Sequence, residues 1–196
     1  VIHNAVDREK YRYSVQKIEE IRGSMGITDQ FVIGHVGNFC YQKNHYFLLD
    51  VFEEVHKKDP NTVLLLAGDG VRFEKVRQIV AEKNLEDVVK LLGRRSDTDY
   101  LYQGMDAFLL PSNFEGLPIA GIEAQSAGLP CFMSDEITKE SKITEACYFI
   151  PLKSGAKYWA EEILDNRIER QSAEFLDNAQ QYDLANQDQE LKSLIR

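Results

Sequence analysis

Two glutamates, Glu115 and Glu123, stand with seven residues between them in the stretch Pro111-Ser112-Asn113-Phe114-Glu115-Gly116-Leu117-Pro118-Ile119-Ala120-Gly121-Ile122-Glu123. Apolar runs flank it, Ala107 to Leu110 before and Leu129 to Met133 after, so it reads as strand, turn, helix and strand. Pro118 is expected at the first helical position, where its missing N–H costs no helical bond, and Gly128 at the helix end. The N–H groups of Gly116, Leu117, Ile119 and Ala120 are then candidate free donors. With the partial positive charge of the helix start they suit a phosphate, and Gly116 lets the backbone come close. Carboxylates repel a phosphate, so the two glutamates would serve such a ligand by accepting hydrogen bonds from neutral hydroxyls, which a sugar supplies. Taken alone, such a pair reads first as a turn cap, Glu115, and a solvated helix residue, Glu123.

The wording around the pair decides between those readings. Pro-Ser-x-x-Glu-Gly-Leu-Pro-Ile and Glu-Ala-x-x-x-Gly-Leu-Pro resemble the E-x7-E element of retaining glycosyltransferases of the GT-B fold, most similar to family 4, the "group 1" transferases. A second loop, residues 37 to 44, resembles the family's donor-phosphate loop, in which an arginine follows a glycine and a lysine comes five residues later. Gly37 and Lys43 keep the pattern. Asn38 stands in the arginine's place, a neutral amide where a planar, permanently charged fork is expected.

The resemblance implies roles for these positions. Glu123 holds ribose hydroxyls; Glu115 and the amides of 116–120 hold the sugar and the diphosphate; Lys43 neutralises the leaving phosphate as charge develops. Gly68, in the turn Gly68-Asp69-Gly70, forms a wall of the nucleotide pocket. Arg94 is a candidate base or diphosphate contact, and Arg95 is equally well a surface residue.

The elements that must position these residues are legible as a series. Short, largely apolar stretches at 31–36, 62–67, 88–92, 106–110, 130–133 and 147–152 read as buried parallel strands, that at 62–67 as a continuous apolar run. Between them lie helical patterns at 47–55, 71–84, from about 97, and 156–166. Val71, Val76, Ile79 and Val80 are expected to face inward from the second of these. Residues 8–23 predict a helix with Tyr11, Val15 and Ile18 on one face and Gly26 as its stop. Strands alternating with helices predict an α/β fold, a doubly wound, Rossmann-like parallel sheet with ligands at the carboxyl ends of its strands. The expected organisation is an interdomain segment and helix over 1–30, the nucleotide-sugar domain over 31–166, and a helical tail over 167–196 carrying Leu184, Leu191 and Ile195 as a stripe. Val1 to Asp7 resembles the phrase with which the family enters its second domain, so an amino-terminal acceptor domain is expected outside this chain.

A formal charge of −9 over 196 residues argues against nucleic acid or an anionic membrane as the main partner. No apolar run approaches a membrane span and no signal peptide is recognised, which predicts a soluble, cytoplasmic domain. Cys40, Cys131 and Cys147 show no paired spacing and read as reduced thiols; the four histidines show no ligand motif, so no metal and no cofactor is expected.

The resulting expectation is the donor-binding half of an enzyme that transfers a sugar, with retention, from a nucleotide diphosphate donor, usually linked to uridine diphosphate, to an acceptor hydroxyl in exopolysaccharide or capsule synthesis. The acceptor, a sugar or lipid-linked saccharide, and any membrane contact belong to the other domain. A GT-B nucleotide-sugar epimerase and a non-catalytic nucleotide-sugar-binding or scaffold domain are the alternatives, the latter favoured by Asn38.

Overall fold

The computed structural model describes residues 5–168 and 173–184. Six parallel strands, β1 Phe31–Val36, β2 Thr62–Ala67, β3 Val89–Gly93, β4 Ala107–Leu110, β5 Cys131–Ser134 and β6 Cys147–Ile150, form one sheet in the order β3-β2-β1-β4-β5-β6. That order reverses direction between β1 and β4, the point at which doubly wound sheets open a crevice for ligands. β2 is buried at every position because both sheet faces are covered.

The helices are α1 Val15–Met25, α2 His45–Lys58, α3 Phe73–Glu82, α4 Thr98–Gly104, α5 Ile119–Ser126 and α6 Gly155–Asp165. Two apolar cores lie on opposite sides of the sheet. One gathers Leu48, Phe52, Leu64, Val76 and Trp159 under α2, α3 and α6; the other gathers Val32, Leu65, Tyr102, Phe108 and Ile122 under α1, α4 and α5.

Three expectations need correction. The helix expected over 8–23 is two pieces, a 3-10 turn Arg8–Tyr11 and then α1, because Ser14 caps α1 by accepting from the Lys17 N–H. Val15 is consequently 57% exposed, whereas Tyr11 is buried elsewhere. Val71 does not face inward but is 95% exposed in the turn before α3. There the Arg72 N–H bonds to the Phe39 carbonyl and delays the helix to Phe73. Finally, Pro118 is the N-cap of α5, extended at ψ 97°, and not its first helical residue. Gly26 and Gly128, both at positive φ, end α1 and α5 as expected.

The described part of the tail, 173–184, contains a 3-10 turn, Asp177–Tyr182, and returns to the start of the chain: Val6 N–H donates to Tyr182 O and Leu184 N–H to Val6 O. Leu184 is exposed. Leu191, Ile195 and Val1 to Asn4 lie outside the described residues.

Candidate donor site at the strand switch point

The loop after β1 and the loop after β4 meet at the switch point. Asn113 fastens them, donating its backbone N–H to Gln42 O at 2.8 Å and its side-chain amide to Tyr41 O at 2.7 Å. This brings Lys43 Nζ onto Glu115 Oε1, an ion pair with side chains only 15% and 7% exposed. Ser112 Oγ donates to the same oxygen at 2.9 Å. A bridge between Glu115 and Ile137 ties the β4 loop to the turn beyond β5, the segment 134–138.

The β2 loop presses on the β1 loop from the other side. Phe39 N–H donates to Asp69 O and Gly37 N–H to Ala67 O. Gly68 sits at φ 144°, and a Cβ there would run into the Gly37 carbonyl; Gly70, at φ 151°, would meet the Phe39 backbone. Only glycine satisfies both the angle and the space. The Gly68-Asp69-Gly70 turn is therefore what sets the height of the Gly37-Asn38 segment.

A cleft of about 630 Å³ opens above these ends, lined by Val36, Gly37, Asn38, Phe39, Gly68, Asp69, Gly70, Arg94, Arg95 and Thr98. Lys43 borders it through Gly37, whose hypothetical Cβ would lie 3.1 Å from Lys43 Cε. Arg95 is held by Asp97 through bonds of 2.8 and 2.6 Å, so Arg94 is the cationic side chain of that turn left to the cleft. Asn38 is exposed on the lining.

The helix α5 that follows Glu115 is anchored from behind. Gln125, fully buried, donates to Gly121 O and Ser141 O and accepts from the Ile143 and Thr144 N–H groups. Gly121 and Ile122 N–H both turn back to Pro118 O. The N–H groups of Ile119 and Ala120 precede any carbonyl the helix can offer them; Gly116 and Leu117 belong to the turn. Glu123, on the second turn of α5, accepts from Tyr11 OH at 2.6 Å and Tyr102 OH at 2.9 Å.

Sequence reasoning missed Ser112, Tyr11, Tyr102 and a buried pair of histidines. Ser112 was inside the quoted motif and needed only the three-residue spacing to be noticed. The tyrosines had no local signal, lying 112 and 21 positions from Glu123. His35 and His45 stack edge to face under the Gly37 loop with ring centroids 4.7 Å apart, and His35 Nδ1 contacts Leu109 O at 2.8 Å. Burial, and then His45 itself, pushes His35 well down; burial with Lys43 and Arg72 nearby pushes His45 down to about 4. Both rings are neutral at pH 7.

Sheet order, switch-point cleft and glycine turns define an α/β domain of the Rossmann-like class that forms one half of GT-B proteins. The profile of the glycosyl transferases group 1 family matches residues 17–182, and the chain belongs to that family. It is 36% identical over 141 residues to the glycosyltransferase-family protein EpsF of Bacillus subtilis, covering 71% of this chain and 37% of that protein. To the UDP-Gal:alpha-D-GlcNAc-diphosphoundecaprenol alpha-1,3-galactosyltransferase of Escherichia coli it is 33% identical over 139 residues, 69% of this chain and 36% of that one. Among solved structures, HepE of Anabaena in complex with UDP and glucose superimposes on the whole chain and 56% of its own with a TM-score of 0.82 at 21% identity. The chain thus spans little more than a third of those curated relatives. No helix among the described residues is long and apolar enough to cross a membrane.

Proposed function

We propose that this chain is the donor-binding half of a retaining glycosyltransferase of family 4 type, acting in bacterial polysaccharide synthesis at the cytoplasmic side. Its donor is a nucleotide diphosphate sugar, with uridine diphosphate as the nucleotide. The observation that carries the reading is the Lys43–Glu115 pair at the β1/β4 switch point, beside a cleft walled by Gly68 and Arg94. The complex of HepE with UDP and glucose supports the choice of nucleotide.

In this reading the base and ribose enter the cleft near Arg94, and the diphosphate lies between the Gly37-Asn38 segment and the start of α5. Lysine carries three donors, so Lys43 keeps Glu115 while reaching a phosphate oxygen. As the sugar C1–O bond breaks, negative charge grows on the departing diphosphate. Lys43 and the Ile119 and Ala120 amides take that charge in place of a protein-bound metal. Ser112 and Lys43 share Glu115 Oε1, which leaves Oε2 for a sugar hydroxyl. The acceptor binds on a domain outside this chain, so the chain alone binds donor but hardly turns it over. Asn38 also supports a second reading, a domain that binds nucleotide sugar without transfer.

The two readings separate in an assay of the full-length protein with UDP-sugars and a lipid-linked saccharide acceptor. Transfer with retained anomeric configuration, lost in Glu115→Gln, supports the enzyme. Donor binding with neither transfer nor hydrolysis by an intact protein would leave the binding domain.

A further inference from the structure

Glu123 differs from Glu115, Asp106 and Asp99 in what supports it. Glu115 is paired with Lys43, Asp106 with Arg22 and Asp99 with Lys17. Among the described residues Glu123 forms no ion pair; its two oxygens each accept one phenolic hydrogen, Oε1 from Tyr11 and Oε2 from Tyr102.

We propose that Tyr11 and Tyr102 are positioning residues that fix the plane of the Glu123 carboxylate so that it can accept both hydrogens of a ribose diol. The proposal rests on the reading of Glu123 as the ribose contact. A terminal carboxylate torsion is broad and roughly two-fold, so one anchor per oxygen is what removes its freedom. A carboxylate has about four acceptor positions, and two phenols occupy two, leaving two for a vicinal diol. Neutral donors leave the full negative charge to strengthen those remaining bonds, which a cation would compete for.

The anchors are themselves rigid. Tyr102 is fully buried on α4, and its hydroxyl also lies 3.2 Å from Ala120 O. Tyr11 meets it edge to face, centroids 5.7 Å apart. Gln103, fully buried, clamps the Tyr11 backbone by donating to Tyr11 O at 2.9 Å and Arg12 O at 3.2 Å. Thr98, a residue of the cleft lining, lies near enough to the Tyr11 hydroxyl to hold its pKa down slightly, which places this network beside the cleft. Burial and then Glu123 push both phenols up, so they stay protonated donors. Part of the ribose contact is thereby built by the segment preceding α1, outside the sheet and its helices.

UDP, 2′-deoxy-UDP and inorganic pyrophosphate titrated calorimetrically into the chain and its Y11F, Y102F and E123Q variants test this. The parent chain is expected to prefer UDP over 2′-deoxy-UDP. That preference should shrink roughly three- to tenfold in each tyrosine variant and at least as much in E123Q, the range for one lost hydrogen bond, with pyrophosphate affinity unchanged. A preference lost in E123Q but intact in both tyrosine variants would overturn the proposal and leave the ribose contact standing. A preference unaffected by E123Q would overturn the ribose contact and the proposal with it. A loss shared equally by all three ligands would make the tyrosines merely structural. If Y102F melts before it can be titrated, Y11F alone decides.

Discussion

Lys43 and Glu115, 72 positions apart in the chain, form one ion pair because the loops after β1 and β4 lie side by side where the sheet reverses its strand order. Neither loop has this geometry alone. Parallel strands bring their carboxyl ends to one edge, and the switch point leaves the gap into which both loops fold.

Because Glu115 is only 7% exposed, Lys43→Ala strands a nearly buried carboxylate. The expected loss of stability is roughly 2–4 kcal/mol. The double variant Lys43→Ala/Glu115→Gln should recover most of that loss, since removing both charges leaves none unpaired, yet should not recover nucleotide binding. Denaturant melts and titrations of the two variants check this; equal stability of single and double variants would contradict it.

The Gly68 turn should be as sensitive as the charges. Gly68→Ala is expected to destabilise by roughly 1–3 kcal/mol and to weaken nucleotide diphosphate binding, because relief of the clash moves the Gly37 backbone. A variant that melts and binds as the parent does would show that the two loops are not coupled.

Asn38 lies exposed on the cleft lining, so an arginine there would reach a diphosphate bound as proposed. Asn38→Arg should tighten nucleotide diphosphate binding by roughly 1–3 kcal/mol, the range for hydrogen bonds to charged groups, and the gain should shrink as salt rises. Unchanged affinity at low salt would place the diphosphate away from position 38.

The buried histidines make the fold acid-sensitive. With His45 pushed from 6.5 down to about 4, the unfolded chain takes up a proton the folded chain refuses, so stability is whole above pH 6.5 and is lost as pH falls towards 4. For His45 the shift amounts to about 3 kcal/mol. His45→Phe, which keeps a ring against Phe39 at the present 4.0 Å stacking distance, should flatten the pH dependence of denaturant midpoints between 7 and 4.5. An unchanged slope would contradict the assignment.

Strands and the loops that follow them were legible because a strand buried on both faces must be a continuous apolar run, and its end is punctuated by glycine, as in Leu66-Ala67-Gly68. Lys43, Glu115 and Gly68 were singled out by that local wording, although nothing local says that the first two touch. Tyr11 was misplaced for a different reason. Its helical spacing with Val15 was real, but Ser14 is a better cap than helix interior, and the cap won. Glu123 was singled out and its partners were not, because contacts across 112 positions leave no pattern in one sequence.

In the proposed reading the β1/β4 switch point binds a nucleotide diphosphate through Lys43. Calorimetric titration of UDP and of NAD into this chain and into Lys43→Ala tests it most directly. UDP is expected to bind the parent chain saturably at 1:1 and at least tenfold more weakly in Lys43→Ala, with no comparable binding of NAD. NAD binding as tightly as UDP, or UDP binding untouched by Lys43→Ala, would contradict it.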